Sequence, residues 1–195
     1  MWNMETPDSD HDYMIIYQQS TKEILSGYPY YTGKAQHTKI SGNKIYDCQF
    51  MEIGHLINLL IKGNINAIWI VTSPIIKHDS KILQTLREIV LHNLSKRSYD
   101  SLRGMSISQY NDAIKRPNTR ENKAYKACLR ILKFGKYMFD TGNLNYMPVK
   151  HLIIKEEIDN AFEQLDLSHR FTQLPNEPDE SAFREFLYNI RISDL

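Results

Sequence analysis

The uneven placement of strand-like and helix-like stretches constrains the fold of this chain most. Short runs rich in aromatic and β-branched residues, typical of strands, lie at 13–17, 44–48 and 67–71. From residue 79 onward, apolar residues recur at helical spacing instead. A chain in which strands come first and helices follow is expected to be α+β, because regular α/β folds alternate the two elements along the chain.

Capping and stop signals divide the helical stretches. The predicted helices are 49–62, ended by Gly63; 79–93, begun at Asp79 or Ser80; 101–115, ended before Pro117; 119–140, capped by Thr119 and ended by Gly142; 150–164; and 181–190. Residues 21–42, rich in Gly, Tyr, Ser and Thr, are expected to form a loop with a short hairpin. The pattern predicts an αβ core at 1–75 and a helical region at 76–195.

Composition indicates one domain, or one domain with an elaboration. The chain has 195 residues, 42% of them hydrophobic and 24% charged, which is the balance of a globular protein with a real core. It shows no secretory signal and no apolar run of about 18 residues, and its two cysteines fit neither a disulfide framework nor a zinc motif. A cytoplasmic protein without a membrane partner is expected. With a net charge of +1, any nucleic-acid site has to come from local clustering of basic residues.

An acidic cluster, Asp8-Ser9-Asp10-His11-Asp12, stands directly before the first strand-like run. Successive side chains of a strand point to opposite faces, so Asp10 and Asp12 are expected to share a face, with His11 opposite. Two carboxylates on one face repel each other unless a cation lies between them, which makes the pair a candidate Mg²⁺ or Mn²⁺ site. Asp47, at the end of the second strand-like run, is placed to supply a third carboxylate. A polar turn is the alternative, since Asp and Ser are common turn residues, and spacing alone does not decide between them.

Further segments stand in a fixed order along the chain. They are Thr6-Pro7-Asp8-Ser9-Asp10-His11-Asp12-Tyr13, Lys62-Gly63-Asn64-Ile65-Asn66, Lys123 with Arg130 seven residues later, Thr141-Gly142-Asn143-Leu144 and Leu174-Pro175-Asn176-Glu177-Pro178-Asp179. Together they resemble the RNA-repair-associated polymerase-beta-like family of the DNA polymerase beta superfamily. The resemblance runs from about Thr6 to the C-terminus. It implies a nucleotidyltransferase-like small mixed sheet with helices, followed by a C-terminal helical part.

The resemblance also implies a chemistry. It is the metal-dependent transfer of a nucleoside monophosphate from a nucleoside triphosphate to a hydroxyl acceptor on a nucleic acid, a protein or a small molecule. RNA or DNA, in nucleic-acid repair or modification, is one candidate acceptor. The implied catalytic and Mg²⁺- or Mn²⁺-binding residues are Asp10, Asp12 and Asp47. The implied nucleotide- and phosphate-binding residues are Ser9, Lys123 and Arg130. A phosphodiesterase or nuclease using the same carboxylates is a further alternative.

The chain departs from the family pattern at its start. In the family, a Gly-Ser turn whose backbone amides and hydroxyl hold the triphosphate lies just upstream of the segment equivalent to residues 1–6. Met1-Trp2-Asn3-Met4-Glu5 stands here after the place of that turn. Two expectations follow: the start codon is assigned too far downstream, or the chain is a shortened homologue with weak or no nucleotide binding. The second makes a catalytically degenerate nucleic-acid-binding or partner subunit of the same fold the alternative function.

The predicted helix 119–140 carries a basic stripe. Taking 100° per residue, an arc of about 140° contains Arg120, Lys123, Lys126, Arg130 and Lys133. Tyr137 lies among these bases, and only the flanking Glu121 is placed within the helix to neutralise them. The stripe is therefore predicted to be an unpaired basic surface for a triphosphate or a nucleic-acid backbone. A solvated charged face is the alternative.

Overall fold

The computed structural model describes residues 11–28, 34–41, 44–115 and 121–195; for 11, 12, 34–41, 44–47, 121 and 122 it describes the backbone alone. Its strands are β1 His11–Tyr17, β2 Lys34–Ser41 and β3 Lys44–Glu52. Its helices are α1 Thr21–Leu25, α2 Ile53–Ile61, α3 Ile65–Thr72, α4 Lys81–His92, α5 Ser98–Lys115, α6 Glu121–Thr141, α7 Lys155–Phe171 and α8 Glu180–Ile192. This order confirms an α+β fold with a small mixed sheet and a helical C-terminal part.

The sheet has the strand order β1-β3-β2, with β1 parallel and β2 antiparallel to the central strand β3. The predicted strands at 13–17 and 44–48 are confirmed. The loop with a short hairpin predicted at 21–42 is wrong, because α1 and β2 lie in this range and β2 pairs with β3, outside it. β3 continues to Glu52 because it is paired on both sides, Glu52 with Tyr17 and Met51 with Lys34. The helix predicted from residue 49 consequently begins at Ile53.

The strand predicted at 67–71 is wrong, since these residues belong to helix α3. Ala67, Trp69 and Val71 are all buried, so the run is apolar without a periodic face. A short run of this kind has no pattern that separates a buried strand from a buried helix. The backbone amide of Ile65 at the start of α3 donates to the Ser101 hydroxyl at 3.0 Å, a distant contact that local sequence does not show.

The remaining helices are confirmed with shifted ends. Ser80 begins α4 as predicted, because its hydroxyl accepts a hydrogen bond from the Leu83 amide at 3.2 Å. Gly142 ends α6 with a φ of 69°, and its amide donates to the Met138 carbonyl at 2.9 Å. α7 begins at Lys155, not near residue 150, because Ile154 has extended backbone angles. Thr119, the predicted cap of α6, lies outside the described residues.

The described residues form two compact units. One contains 63–65 and 91–178, with helices α5, α6 and α7; the other contains the sheet, 66–90 and 179–195. The units do not follow the predicted boundary near residue 75, because α8 and most of α4 group with the sheet. Whether residues 1–75 and 76–195 act as separate domains stays a prediction. None of the helices in the described ranges combines the length and the apolar character that crossing a membrane requires.

Cys128, on the buried side of α6, provides a probe of one of these units. Its side chain has no exposed surface, and burial raises the pKa of its thiol to about 12. Because only the thiolate reacts, we expect thiol reagents to modify the half-buried Cys48 in the folded protein and Cys128 only after unfolding. Labelling followed by mass mapping, with and without denaturant, measures both rates. A Cys128 rate that denaturant leaves unchanged would contradict this burial, and a Cys48→Ser variant isolates the Cys128 signal.

Candidate functional site

The sheet brings two of the predicted carboxylate residues to adjacent positions. Asp12 of β1 and Asp47 of β3 are register partners in the parallel pair. Neighbouring strands lie about 4.8 Å apart, and paired positions occupy the same point of the pleat, so the two positions belong to the same face of the sheet. Thr38 of β2 is the register partner of Asp47 on its other side. One row across the three strands therefore contains two acidic residues and a threonine.

The rest of the predicted aspartate site stays a prediction. Ser9 and Asp10 lie outside the described residues, and Asp12 and Asp47 are described by their backbone alone. Among the side chains that the structure describes, no three His, Cys, Asp or Glu residues group closely enough to hold a metal ion. The backbone register of Asp12 with Asp47 is therefore the structural support for this site.

The far end of β3 carries a buried carboxylate that serves the fold. Glu52 lies five residues beyond Asp47, on the other face and roughly 16 Å along the strand. Its side chain is 0% exposed and accepts hydrogen bonds from the amides of Gly54 at 2.6 Å and His55 at 3.3 Å, which caps helix α2. The Arg191 guanidinium donates to the same carboxylate. Glu52 therefore stabilises the junction of β3 and α2.

Arg191 also joins helix α8 to the end of β1. Its guanidinium donates to the Gln19 carbonyl at 2.5 Å, and its own carbonyl accepts from the Thr21 hydroxyl at 2.9 Å. The Thr21 amide donates to the Asp194 carboxylate at 2.7 Å. The ends of both strands that carry the paired aspartates are consequently fixed to one helix. Sequence reasoning missed this arrangement, because Arg191 is 139 residues from Glu52 and no local pattern connects them.

Lys123 and Arg130, the predicted phosphate-binding residues, both lie on α6. Lys123 is exposed, whereas Arg130 is half-buried, and burial lowers the pKa of its guanidinium. Seven residues separate them, which is about 10.5 Å along the helix axis. They belong to the compact unit of 91–178, whereas Asp12 and Asp47 belong to the unit with the sheet. A joint role for the two pairs stays a prediction.

The prediction that the basic stripe is unpaired is wrong for Lys133. Its ammonium lies 3.3 Å from the Glu157 carboxylate, which also lies 3.1 Å from the imidazole of His151. Burial raises the pKa of Glu157, but the hydrogen bonds from His151 and Lys133 outweigh it and hold that pKa below its usual value. The acid comes from α7, 24 residues further along the chain, so spacing within one helix did not reveal it.

Arg130 and Lys133 also border a cavity of about 210 Å³. The cavity is lined by Arg130, Lys133, Phe134, Lys136, Tyr137, Asp140, Asn145 and Met147. Its helical side was visible in the sequence as bases with an aromatic residue among them. Its other side is formed by the irregular segment after α6, which carries no periodic pattern, so the sequence analysis did not find the cavity.

Comparison with known proteins settles the family. A model of the RNA repair pathway DNA polymerase beta family, RlaP, matches residues 1–181. The chain belongs to this family. RlaP membership confirms the resemblance drawn from the motifs and supports a polymerase-beta-like nucleotidyltransferase of RNA repair. Searches of curated proteins and of solved structures found no match. The RlaP match ends within α8, ten residues before Arg191.

Proposed function

We propose that this chain is a metal-dependent nucleotidyltransferase that transfers a nucleoside monophosphate from a nucleoside triphosphate to a hydroxyl of RNA or DNA. The observation that carries the proposal is the register of Asp12 with Asp47 in the parallel strand pair. Asp10 stands two residues before Asp12, so a third carboxylate is close in the chain. Carboxylate oxygens are the protein ligands that Mg²⁺ prefers, and the residue types present fit that ion or Mn²⁺.

In this proposal Asp10, Asp12 and Asp47 hold the metal, and Asp47 also accepts the proton of the attacking hydroxyl. A bound divalent ion supplies positive charge against the triphosphate. The acceptor oxygen forms a bond to the α-phosphorus while the bond from that phosphorus to the pyrophosphate oxygen breaks. Because this reaction needs little covalent help from a protein, positioning and charge neutralisation account for most of the rate.

The predicted phosphate contacts complete the proposal. Ser9 would donate its hydroxyl to the phosphates, and Lys123 and Arg130 would donate from α6. Guanidinium and ammonium groups make charge-assisted hydrogen bonds to phosphate oxygens, which are roughly twice as strong as neutral ones. A catalytically degenerate nucleic-acid-binding or partner subunit is the second candidate, favoured by the exposed Lys123 on the basic side of α6.

Replacing Asp47 with asparagine tests the first candidate, because it removes one charge and keeps the side-chain size. We expect metal-dependent binding of a nucleoside triphosphate to weaken by about tenfold or more, which corresponds to about 1.4 kcal/mol or more. The measurement is a titration with Mg²⁺ or Mn²⁺ and a fluorescent nucleoside triphosphate, followed by transfer to a short RNA. Asp159→Asn, the same change at an exposed position of α7, is the matched control.

The outcomes separate the two candidates. If the Asp47→Asn variant and the unmodified protein bind nucleotide with equal affinity and equal metal dependence, the proposed carboxylate site is excluded. If neither protein binds nucleotide but both bind RNA with the same dependence on salt, the degenerate subunit is the correct function. Equal unfolding midpoints of Asp47→Asn and Asp159→Asn show that any difference in binding comes from the site.

A further inference from the structure

The segment between α6 and α7, residues 143–154, forms a strap that lies along α6 and runs antiparallel to it. The ring of Tyr146 packs against that of Phe134 on α6, with 5.3 Å between the centroids. Further along the strap, the Lys150 carbonyl accepts a hydrogen bond from the Lys126 ammonium at 3.2 Å. The two contacts are eight residues apart on the helix, about 12 Å, and four apart on the strap, about 13 Å if extended. The strap is therefore nearly extended between them.

The strap carries apolar side chains on its outer side as well as its inner side. Val149 and Ile153 are 3% and 8% exposed, and their burial holds the strap to the protein. Leu152 and Ile154, on either side of Ile153, are 79% and 64% exposed. Single exposed apolar residues need no explanation, but two that stand out together from an anchored segment are typical of a surface that a partner covers.

The backbone of the strap offers hydrogen-bonding groups to a partner. In the part of the chain that the structure describes, the Lys150 carbonyl is the only backbone group of 147–153 that makes a hydrogen bond. An extended segment with unpaired amides and carbonyls can pair with an added strand, which supplies the missing hydrogen bonds. Because side chains alternate along a strand, every second side chain of the added strand can enter a pocket on the protein.

The cavity of about 210 Å³ beside α6 provides such a pocket next to the strap. Met147 of the strap and Phe134, which is 1% exposed, contribute apolar surface to its lining. Its two lysines are both ion-paired with carboxylates, at 3.3 Å and 2.5 Å. An apolar cavity of about 150 Å³ is large enough to hold a benzene ring. The cavity therefore suits one aromatic side chain.

Unpaired lysines surround the exposed apolar pair of the strap. Lys150 and Lys155 flank it in the chain, and Lys126 contacts the strap from α6. Within the described ranges, none of these three lysines has a carboxylate at ion-pair distance, and one exposed acid nearby, Glu156, is also unpaired. Three cations against one anion leave an excess of positive charge, which favours a partner segment that brings carboxylates.

We propose that the strap and the cavity form a docking surface for an extended, acidic segment of a partner protein, which pairs with the strap and places one aromatic side chain in the cavity. Backbone hydrogen bonds supply affinity, and the cavity selects the aromatic residue. The surface is separate from nucleotidyl transfer, because it uses neither the aspartate row of Asp12 and Asp47 nor the guanidinium of Arg130.

Selection from a display library of random seven-residue peptides on the full chain tests the proposal. We expect the enriched peptides to contain one aromatic residue with acidic residues near it. In fluorescence polarisation, replacing that aromatic residue with alanine is expected to weaken binding by about tenfold or more. Two N-methylated forms of the peptide block the amides on one edge of the strand each, and one form only is expected to lose binding.

Substitutions on the strap identify the surface. Leu152→Glu removes an apolar contact and repels acidic peptides, so we expect it to weaken their binding by about tenfold or more. Leu25→Glu, at a leucine of α1 that is 72% exposed, is the matched control and is expected to bind as the unmodified protein does. Met147→Trp places a ring at the cavity and is expected to remove the preference for the aromatic residue. Equal unfolding midpoints show that the variants are folded.

Several results would overturn the proposal. They are a selection that enriches no acidic aromatic peptides, and equal binding of the selected peptides by Leu152→Glu and Leu25→Glu. If no peptide is enriched and Leu152→Glu turns a dimer into a monomer in sedimentation, the surface binds a second copy of the chain. If a short single-stranded RNA binds in place of the peptides and Leu152→Glu alone weakens it, the surface is a nucleic-acid interface. Asp47→Asn is expected to bind the peptides normally, so this proposal and nucleotidyl transfer can fail separately.

Discussion

Replacing Arg191 with methionine is expected to lower the free energy of unfolding by about 3–5 kcal/mol, the usual loss when one partner of a buried ion pair is removed. The Glu52 carboxylate has no exposed surface, and the side chain of Arg191 is only 14% exposed. Methionine keeps most of the length of the arginine stem, so the expected loss comes from the uncompensated charge of Glu52. Urea or thermal unfolding of the intact chain measures the change.

The same substitution at Arg184 provides the control on the same helix. Arg184 is 51% exposed, pairs with Glu180 one turn away and donates to the side chain of Asn58. Exposed pairs of this kind contribute about 0–1 kcal/mol, so Arg184→Met is expected to cost about 1 kcal/mol or less. Equal losses for the two variants would show that burial of the Glu52–Arg191 pair does not matter. In the Arg191→Met background, Glu52→Gln is expected to recover part of the stability, because it removes the unpaired charge.

One residue of this ion pair, Arg191, lies beyond the part of the chain that the family model matches. RlaP similarity ends at residue 181, inside α8, whereas Arg191 lies near the end of that helix. A chain cut at residue 181 would retain the paired aspartates of β1 and β3 and would leave Glu52 buried without its guanidinium. We expect such a fragment to be less stable than the full chain. The experiments on the aspartate row and the cavity therefore use all 195 residues.

The acidic residues Asp12 and Asp47 could be predicted from the sequence, but their pairing in the sheet could not. The alternation of side chains along a strand identified Asp12, and the end of the second strand-like run identified Asp47. Their register was not predictable, because it depends on pairing between strand residues that are 35 positions apart in the chain. The family motifs indicated the same aspartates without the register, because the order of the motifs along the chain is read directly from the sequence.

The failures have the same physical cause. The segment predicted as a strand at 67–71 is a helix, and the prediction failed because four of its five residues are buried, which leaves no periodicity to separate the two structures. The prediction of an unpaired basic stripe was wrong at Lys133, because its partner Glu157 lies on another helix, α7. The cavity was missed because one of its walls has no regular structure. In each case the local periodic pattern lacks the deciding information: the burial of 67–71 and the contact of Lys133 with Glu157 depend on other elements, and the cavity wall at 145–147 has no regular structure.

Replacing Gly63 with alanine is expected to lower the free energy of unfolding by about 2–5 kcal/mol, the sum of a left-handed backbone conformation and an overpacked contact. Gly63 has a φ of 67°. A Cβ atom there would lie 2.8 Å from the backbone carbon of Arg97 and 2.9 Å from the amide nitrogen of Ser98. Since both neighbours are backbone atoms at the start of α5, no side-chain rotation relieves the contact, and the turn or the helix has to move. Chemical unfolding of the full chain measures the loss.

Gly27→Ala separates the two contributions. Gly27 has a φ of 82°, but a Cβ atom there would meet nothing within 4 Å. This variant is expected to lose only the conformational part, about 1–2 kcal/mol. The difference between the variants measures the contact of Gly63 with Arg97 and Ser98, and equal losses would show that this contact costs nothing. A larger loss at Gly63 would explain the glycine of the Lys62-Gly63-Asn64-Ile65-Asn66 motif by the close approach of two backbone segments, independently of any contact with a nucleotide.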